Sequence, residues 1–306
     1  MFKKFIIILT LLFSTTANAA DLKKEVENKA NSIFSENINS FITEYLGLKF
    51  PTSEVSLSTG ITDKVSGGIL IVAPLSDINN TKNTIFTQGS IYFSDDNRET
   101  LNLGIGNRIL LNDDKLLLGA NAFFDYEPDY DHQRSSLGIE AKTSVGEFTA
   151  NKYFGMSDWQ VGFESVEERA SSGEDYEVGV PLPYLPWAYF YARAFEWEGR
   201  DGVADLKGDE ISLKANLLSG LSVEAGKRSI ESGGAEDDQY LRLTWTCCNK
   251  EKNVSMGVSD KAYNLTSVAD LRFAKVRRQN LIVKQKKMEL SIICLLYTSP
   301  SPRDSS

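Results

Sequence analysis

Histidine is nearly absent from the 306 residues, cysteine occurs three times, and no apolar run is long enough to span a bilayer as a helix. A single histidine, His132, leaves no HExxH pair and no multi-histidine metal site. Cys247, Cys248 and Cys294 are too few for a disulfide scaffold, and Cys247 and Cys248 are closer in sequence than ordinary disulfide geometry accepts. Basic residues are the minority, 33 Lys and Arg against 42 Asp and Glu, for a net charge of −9. That balance excludes nucleic acid as the expected partner, because phosphate binding requires a cationic surface. The longest apolar stretch, Phe5–Phe13, falls well short of the roughly 20 residues of a spanning helix, so a membrane form of this chain must cross with strands.

What is present starts with a targeting signal. Lys3 and Lys4 precede Phe5–Phe13, and Ala17, Asn18 and Ala19 supply small residues for cleavage, which predicts a signal peptide over residues 1–20. From Asp21 onward, Val26, Ala30, Ile33, Phe34, Ile38, Phe41, Ile42 and Leu46 recur at three- and four-residue steps. This spacing predicts a short periplasmic helical segment within residues 21–50, ended by Pro51.

The stretch Leu101–Tyr126 then changes the period to two. Leu101, Leu103 and Ile105 alternate with Asn102, Gly104, Gly106 and Arg108; after a turn at Asn112, Asp113 and Asp114, Leu118, Ala120, Ala122 and Phe124 alternate with Gly119, Asn121, Phe123 and Asp125. Similar segments recur near 53–61, 68–76, 84–94, 98–110, 114–126, 133–144, 145–154, 174–181, 186–198, 208–218, 220–229 and 238–247. Each is about nine to eleven residues, the length of a tilted membrane strand. A soluble sandwich would alternate in the same way. Small and polar residues on the second face, and aromatics near strand ends, favour a closed barrel in lipid. The aromatics expected to form the interfacial girdle are Tyr92, Phe93, Phe124, Tyr126, Tyr153, Phe154, Trp159, Trp187, Tyr189, Trp197 and Trp245.

With the strands in that order, the chain resembles the intimin/invasin family, whose members carry an inverse autotransporter β-domain (type Ve secretion). The resemblance rests on LNLGIGNRILL (Leu101–Leu111), LLLGANAFFDYE (Leu116–Glu127), DHQRSSLGIEAKT (Asp131–Thr143), FTANKYFGMSDW (Phe148–Trp159), the block Glu167–Gly199 and SVADLRFAKVRRQNLIVKQKK (Ser267–Lys287). It implies a twelve-stranded outer-membrane anchor whose C-terminal linker passes back through the pore and carries an extracellular adhesive passenger. Residues 51–249 would be the barrel and 250–290 the pore-threading linker and passenger start. Leu265, Val268, Ala269, Leu271, Arg272, Lys275 and Val276 have helical spacing, so the linker is expected to be helical in the pore. Its Arg272, Lys275, Arg277 and Arg278 are expected to pair with lumen carboxylates such as Glu140 and Glu224, and the glycines of the Leu101–Tyr126 pair to leave room for it. Two departures stand out: no long Gly/Asn-rich peptidoglycan-binding module precedes the barrel, and the passenger is missing. The tail CLLYTSPSPRD (Cys294–Asp304) looks like a translated library-adapter sequence, so residues 291–306 are read as non-native and the natural protein as continuing beyond Leu290.

The expected fold class is thus all-β: a twelve-stranded antiparallel transmembrane β-barrel with a short N-terminal helical segment and a C-terminal helical linker in the pore. Its pore-lining residues are expected to be Asn102, Arg108, Asn121, Asp125, Glu140, Asn151 and Arg242, in structural roles. No enzymatic activity, cofactor or metal is expected. His132 lies among Asp125, Asp129 and Asp131 with no Gly-x-Ser-x-Gly elbow and reads as a solvated loop histidine. The carboxylates of Asp125, Glu127, Asp129 and Asp131 have a calcium-loop spacing interrupted by Pro128. The function expected is export and anchoring of an adhesin or invasin passenger in the outer membrane of a Gram-negative bacterium; the alternative is a small-solute, porin-like channel. Partners implied are outer-membrane lipid, the barrel-assembly machinery and periplasmic chaperones, and a host or cell-surface receptor met by the passenger.

Overall fold

A computed structural model of the chain describes residues 51–60, 65–94, 98–218, 220–233, 236–247 and 256–287. The signal peptide and helical segment expected before Pro51, and the tail expected from 291, lie outside the described residues. The strands are β1 (Thr52–Gly60), β2 (Val65–Pro74), β3 (Asn83–Phe93), β4 (Glu99–Leu111), β5 (Leu116–Glu127), β6 (His132–Thr143), β7 (Gly146–Gly155), β8 (Gln160–Val161), β9 (Glu167–Ala170), β10 (Gly173–Leu182), β11 (Leu185–Trp197), β12 (Leu206–Leu218), β13 (Leu221–Ser232), β14 (Asp238–Cys247) and β15 (Lys284–Lys286). Twelve of them, β1–β7 and β10–β14, form a closed antiparallel barrel, and the other three form a small separate sheet. Closure runs through β1 and β14, with Ser53 opposite Cys247 and Gly60 opposite Tyr240.

The alternation of the sequence sets which face is which. β4 alternates exposed and buried along its whole length, with Leu103 66% and Ile105 53% exposed while Asn102 and Arg108 are buried. Exposed leucines and isoleucines on a closed barrel are suited to lipid, where they carry none of the ~25 cal/mol per Å² they would cost in water. Closure also leaves no strand edge with unpaired backbone groups in the hydrocarbon.

At one end of the barrel the strands are joined by tight turns at 112–115, 144–145 and 183–184; the 156–172 and 198–205 loops lie at the other. These are called here the turn end and the loop end. The β4–β5 turn has Asn112, Asp113 and Asp114 in the left-handed region, φ 51, 53 and 64°, which Asn and Asp tolerate better than other side chains.

Three sequence expectations are corrected. Among its described residues, 256–287, the linker contains one 3-10 turn, Ala269–Phe273, and is otherwise non-helical up to β15. A helix would spend its carbonyls on itself and occupy roughly 10–12 Å of lumen, whereas the extended chain offers its carbonyls to the wall. The aromatic girdle is smaller than expected: Phe93, Phe124 and Phe154 are exposed on the outer face, but Tyr153 and Trp197 are buried against Phe195. Parity is the reason, since Tyr153 shares its face of β7 with Asn151. Finally, the 156–172 loop holds β8 and β9, which the expected strand order lacked.

Candidate functional site: the threaded lumen

Residues 256–287 cross the turn end, pass through the barrel and emerge at the loop end. At the turn end, the Trp187 indole N–H donates to the Gly257 carbonyl (3.2 Å), the Tyr184 N–H to Ala262 (3.2 Å) and the Ser144 hydroxyl to Asn264 (2.9 Å). The Val268 N–H then donates to the Asp114 carbonyl (2.7 Å) in the β4–β5 turn. At the loop end β15 pairs antiparallel with β9, Lys284 opposite Ala170 and Lys286 opposite Glu168. The flanking Ser171 N–H donates to Val283 O (2.9 Å), and the Lys287 N–H to Glu167 O (3.0 Å).

Between the ends, wall side chains meet the backbone of the extended segment, as a buried chain without its own secondary structure requires. Arg108 donates to the carbonyls of Arg272 (2.9 Å) and Ala274 (2.6 Å), and Gln88 accepts the Val276 N–H (2.8 Å). Asn151 donates to Arg277 O (3.1 Å), Tyr153 accepts the Gln279 N–H (2.8 Å), and Asn102 donates to Asn280 O (3.0 Å). Arg134 donates to the carbonyls of Gln279 (2.7 Å) and Leu281 (3.2 Å).

A second set of contacts neutralises the cations of the segment. Lys275 pairs with Glu54, Arg277 with Glu177, and Arg278 is bidentate on Asp125 (2.8 and 2.7 Å). Lys284 meets Glu127 (2.8 Å), Lys286 meets Glu168 (3.2 Å) and Lys287 meets Glu167 (2.8 Å). The side chains of Arg278 and Asp125 are fully buried, and buried charges persist only when paired in this way, whereas Lys286 is exposed and Lys287 partly so. At the loop end burial pushes the Glu168 carboxyl up, but Arg98 and Lys286 outweigh it and hold the group below its ordinary value.

An apolar collar completes the grip: Phe273 and Val276 pack with Leu70, Val72, Phe86 and Phe123. Glycine makes this possible, though not by the route expected. A Cβ on Gly104 would lie 2.3 Å from the Phe123 ring, and one on Gly119 would lie 2.6 Å from Glu140 Oε1. The glycines therefore clear space for side chains of the neighbouring strand, and those side chains in turn meet the linker or the residues that hold it.

Asn102, Arg108, Asn121, Asp125, Glu140 and Asn151 are buried on the inward face, while Arg242 is partly exposed and pairs with Glu224 (3.3 Å). The expected pairing of Glu140 with the linker is corrected: Glu140 binds Arg108 (2.5 Å) and Lys142 (3.1 Å), the latter two residues away on its own face. Glu224 lies 3.7 Å from Arg277, and Arg272 donates to the Ile78 carbonyl instead of a carboxylate. The carboxylates with calcium-loop spacing separate, Asp125 going to Arg134 and Arg278, Glu127 to Arg98 and Lys284. His132 is corrected as well. It is fully buried, with Nδ1 3.4 Å from the Ser157 hydroxyl and Nε2 3.7 Å from Glu168 Oε2. Glu168 is also bound by Arg98 (2.7 Å) and Lys286 (3.2 Å), which places His132 beside a charge-paired carboxylate at the loop end. Glu54, Gln88, Arg134 and Glu177 went unnamed, although each shares a strand face with residues that parity turns inward; Arg98 and Glu168 lie outside barrel strands, where parity gives no signal.

A closed barrel, lipid-suited outside and charged inside, with its own chain filling the lumen, defines a plugged outer-membrane β-barrel. The family model described as inverse autotransporter, beta-domain matches residues 9–280, and the chain belongs to that family. It is similar to Intimin from Escherichia coli (EPEC), 32% identical over 254 residues, which are 79% of this chain and 26% of the relative. It is also similar to Invasin from Yersinia enterocolitica, 30% identical over 128 residues, 40% of this chain and 14% of the relative. The chain thus spans about a quarter or less of the length of these relatives. A solved chain described under "Unveiling the Mechanism Behind the in-meso Crystallization of Membrane Proteins" covers 77% of this chain and 99% of its own, with TM-score 0.65 and 21% identity. That likeness concerns the fold.

Proposed function

We propose that this outer-membrane barrel, inserted with the help of the barrel-assembly machinery and delivered by periplasmic chaperones, exports and anchors a polypeptide continuing beyond Lys287. By family kinship that polypeptide is an adhesive passenger of the intimin/invasin type, which would meet a host or cell-surface receptor. Residues 51–249 act as the anchor and 250–290 as the tether. The role is one of transport and attachment, and the pore residues Asn102, Arg108, Asp125 and Asn151 serve it by holding backbone and charge.

One observation carries the reading: the course of residues 256–287 from the turn end to β15 at the loop end, held throughout by wall side chains. A solute channel has no need for three lumen cations, Lys275, Arg277 and Arg278, each paired with a wall carboxylate. The test is topological. An epitope replacing residues 291–306 should be bound by antibody on intact cells, while the same epitope inserted between Ser144 and Val145 should be reached only after the outer membrane is opened. The reverse pattern would remove the export reading.

A further inference from the structure

The threaded segment does not sit centrally. Its backbone is held by residues of β3, β4, β6 and β7, and a cavity of about 340 Å³ remains, lined mainly from β1, β2 and β10–β14 with Tyr92 of β3 and Thr149 of β7 at its edges. Ser58, Ser66 and Tyr92 line one wall of it, Arg228, Tyr240 and Arg242 another. It reaches the loop end at Ser66, Ser94 and Asp238. Toward the turn end Ser212, Ser222, Thr244 and Glu54 are buried, and Lys275 on Glu54 with the apolar collar fills the section. The cavity is therefore blind on that side.

Its lining has a polarity that the pairing of charges hides. Arg228 binds Glu210 (2.9 Å) and Arg242 binds Glu224 (3.3 Å), yet the arginine side chains are 35% and 31% exposed, and their carboxylates 8% and 7%. These two carboxylates are thus set back into the wall, as are Asp175 and Glu177, and the guanidinium faces stand forward; Asp238, opposite Arg228 at the mouth, is the half-exposed carboxylate of the lining. An arginine has five N–H donors, so a guanidinium that spends one or two of them on a carboxylate keeps the others for a ligand. Around them stand the hydroxyls of Ser58, Ser66 and Tyr92, while Tyr240 donates its proton to Glu210 (2.7 Å) and keeps only an acceptor.

We propose that this cavity is a one-sided vestibule that admits and binds small polyhydroxylated anions, such as a sugar acid, from the loop end without passing them across the membrane. The carboxylate of the solute would meet Arg228 and Arg242, and its hydroxyls the serines and tyrosines. The proposal is independent of passenger export, because it depends only on the threaded barrel.

The test uses the full chain in intact cells, with Cys247, Cys248 and Cys294 changed to Ser and Ser58→Cys added. Two thiosulfonate reagents are applied from outside, one bearing a sulfonate and one a trimethylammonium group. The sulfonate reagent should react about tenfold faster than the cationic one, after correction for their rates with a free thiol, as expected for a site focused by one sign of charge. Millimolar glucuronate should slow the reaction and glucose should not. The paired change Arg228→Gln with Glu210→Gln, which removes the pair without leaving a lone buried charge, should reduce the charge preference to what Arg242 alone supports, while the heat-modifiable gel shift persists. Ser90→Cys, two residues from Tyr92 on β3 but buried against Asn102 (2.9 Å) and outside the lining, should stay unmodified. An unreactive Ser58→Cys would overturn the vestibule, and equal rates for the two reagents, or no effect of glucuronate, would overturn its preference for anions.

Discussion

The contact between Arg278 and Asp125 concentrates the physics of the threaded lumen in two residues. Both side chains are fully buried, the guanidinium is bidentate on the carboxylate, and it also lies 4.3 Å above the Phe123 ring. Removing Arg278 leaves Asp125 to Arg134 (2.8 Å) and Asn102 (2.7 Å), whereas removing Asp125 leaves two buried guanidiniums uncompensated, a loss of about 3–5 kcal/mol. Arg278→Ala should therefore weaken retention of the segment by less, about 1.5–3 kcal/mol for a lost hydrogen bond between charged groups, seen as a lower urea concentration at which protease cuts within 275–283 while the barrel stays folded. Arg278→Met combined with Asp125→Leu should weaken it further, because the double change also strips the buried Arg134 of its carboxylate. If the single change leaves that concentration unmoved, the pair is not what holds the segment. Asp125 could be named from the sequence because it alternates with Phe124 and shares a face with Asn121. Arg278 could be named only as one cation among several, and its partner could not, since 153 residues separate them.

Among the elements, β4 and β5 were the most legible. Their two-residue period, the Asn112–Asp114 turn and the polar set Asn102, Arg108, Asn121 and Asp125 specify strand, turn and inward face without reference to the rest of the chain. The same logic predicts that Ile105→Arg, at the centre of β4 and facing lipid, should cost roughly 2–4 kcal/mol in insertion, whereas a polar change on the inward face should not. A normal yield of heat-modifiable barrel from Ile105→Arg would contradict the outward assignment. Less legible were β8, β9 and β15, which are two to four residues long and too short to display a period. The linker was misleading for a different reason. Val268, Ala269, Leu271 and Val276 do have helical spacing, but hydrogen-bonding wall groups compete for its carbonyls and win. Tyr153 and Trp197 show the third limit: residue type suggested the lipid interface, and strand parity, also present in the sequence, sent them inward.

For the whole molecule, closure and filling are separate achievements. Twelve strands close the wall through β1 and β14, and residues 256–287 then fill the space they enclose, apart from the vestibule. Deleting residues 267–287 should thus leave a barrel that still inserts but conducts far more current across a planar bilayer than the full chain. A large steady current from the full chain would instead favour an open channel. The small sheet at the loop end has a mechanical side as well. β15 runs outward to Lys287 and β9 runs the other way, into β10 and the membrane-embedded wall. A pull on the emerging chain therefore enters the β9–β15 joint at one end and leaves it at the other, so its bonds are loaded in shear, all together, where peeling would break them one at a time. Tension applied from outside would be passed sideways into the wall before reaching the ion pairs deeper in the lumen.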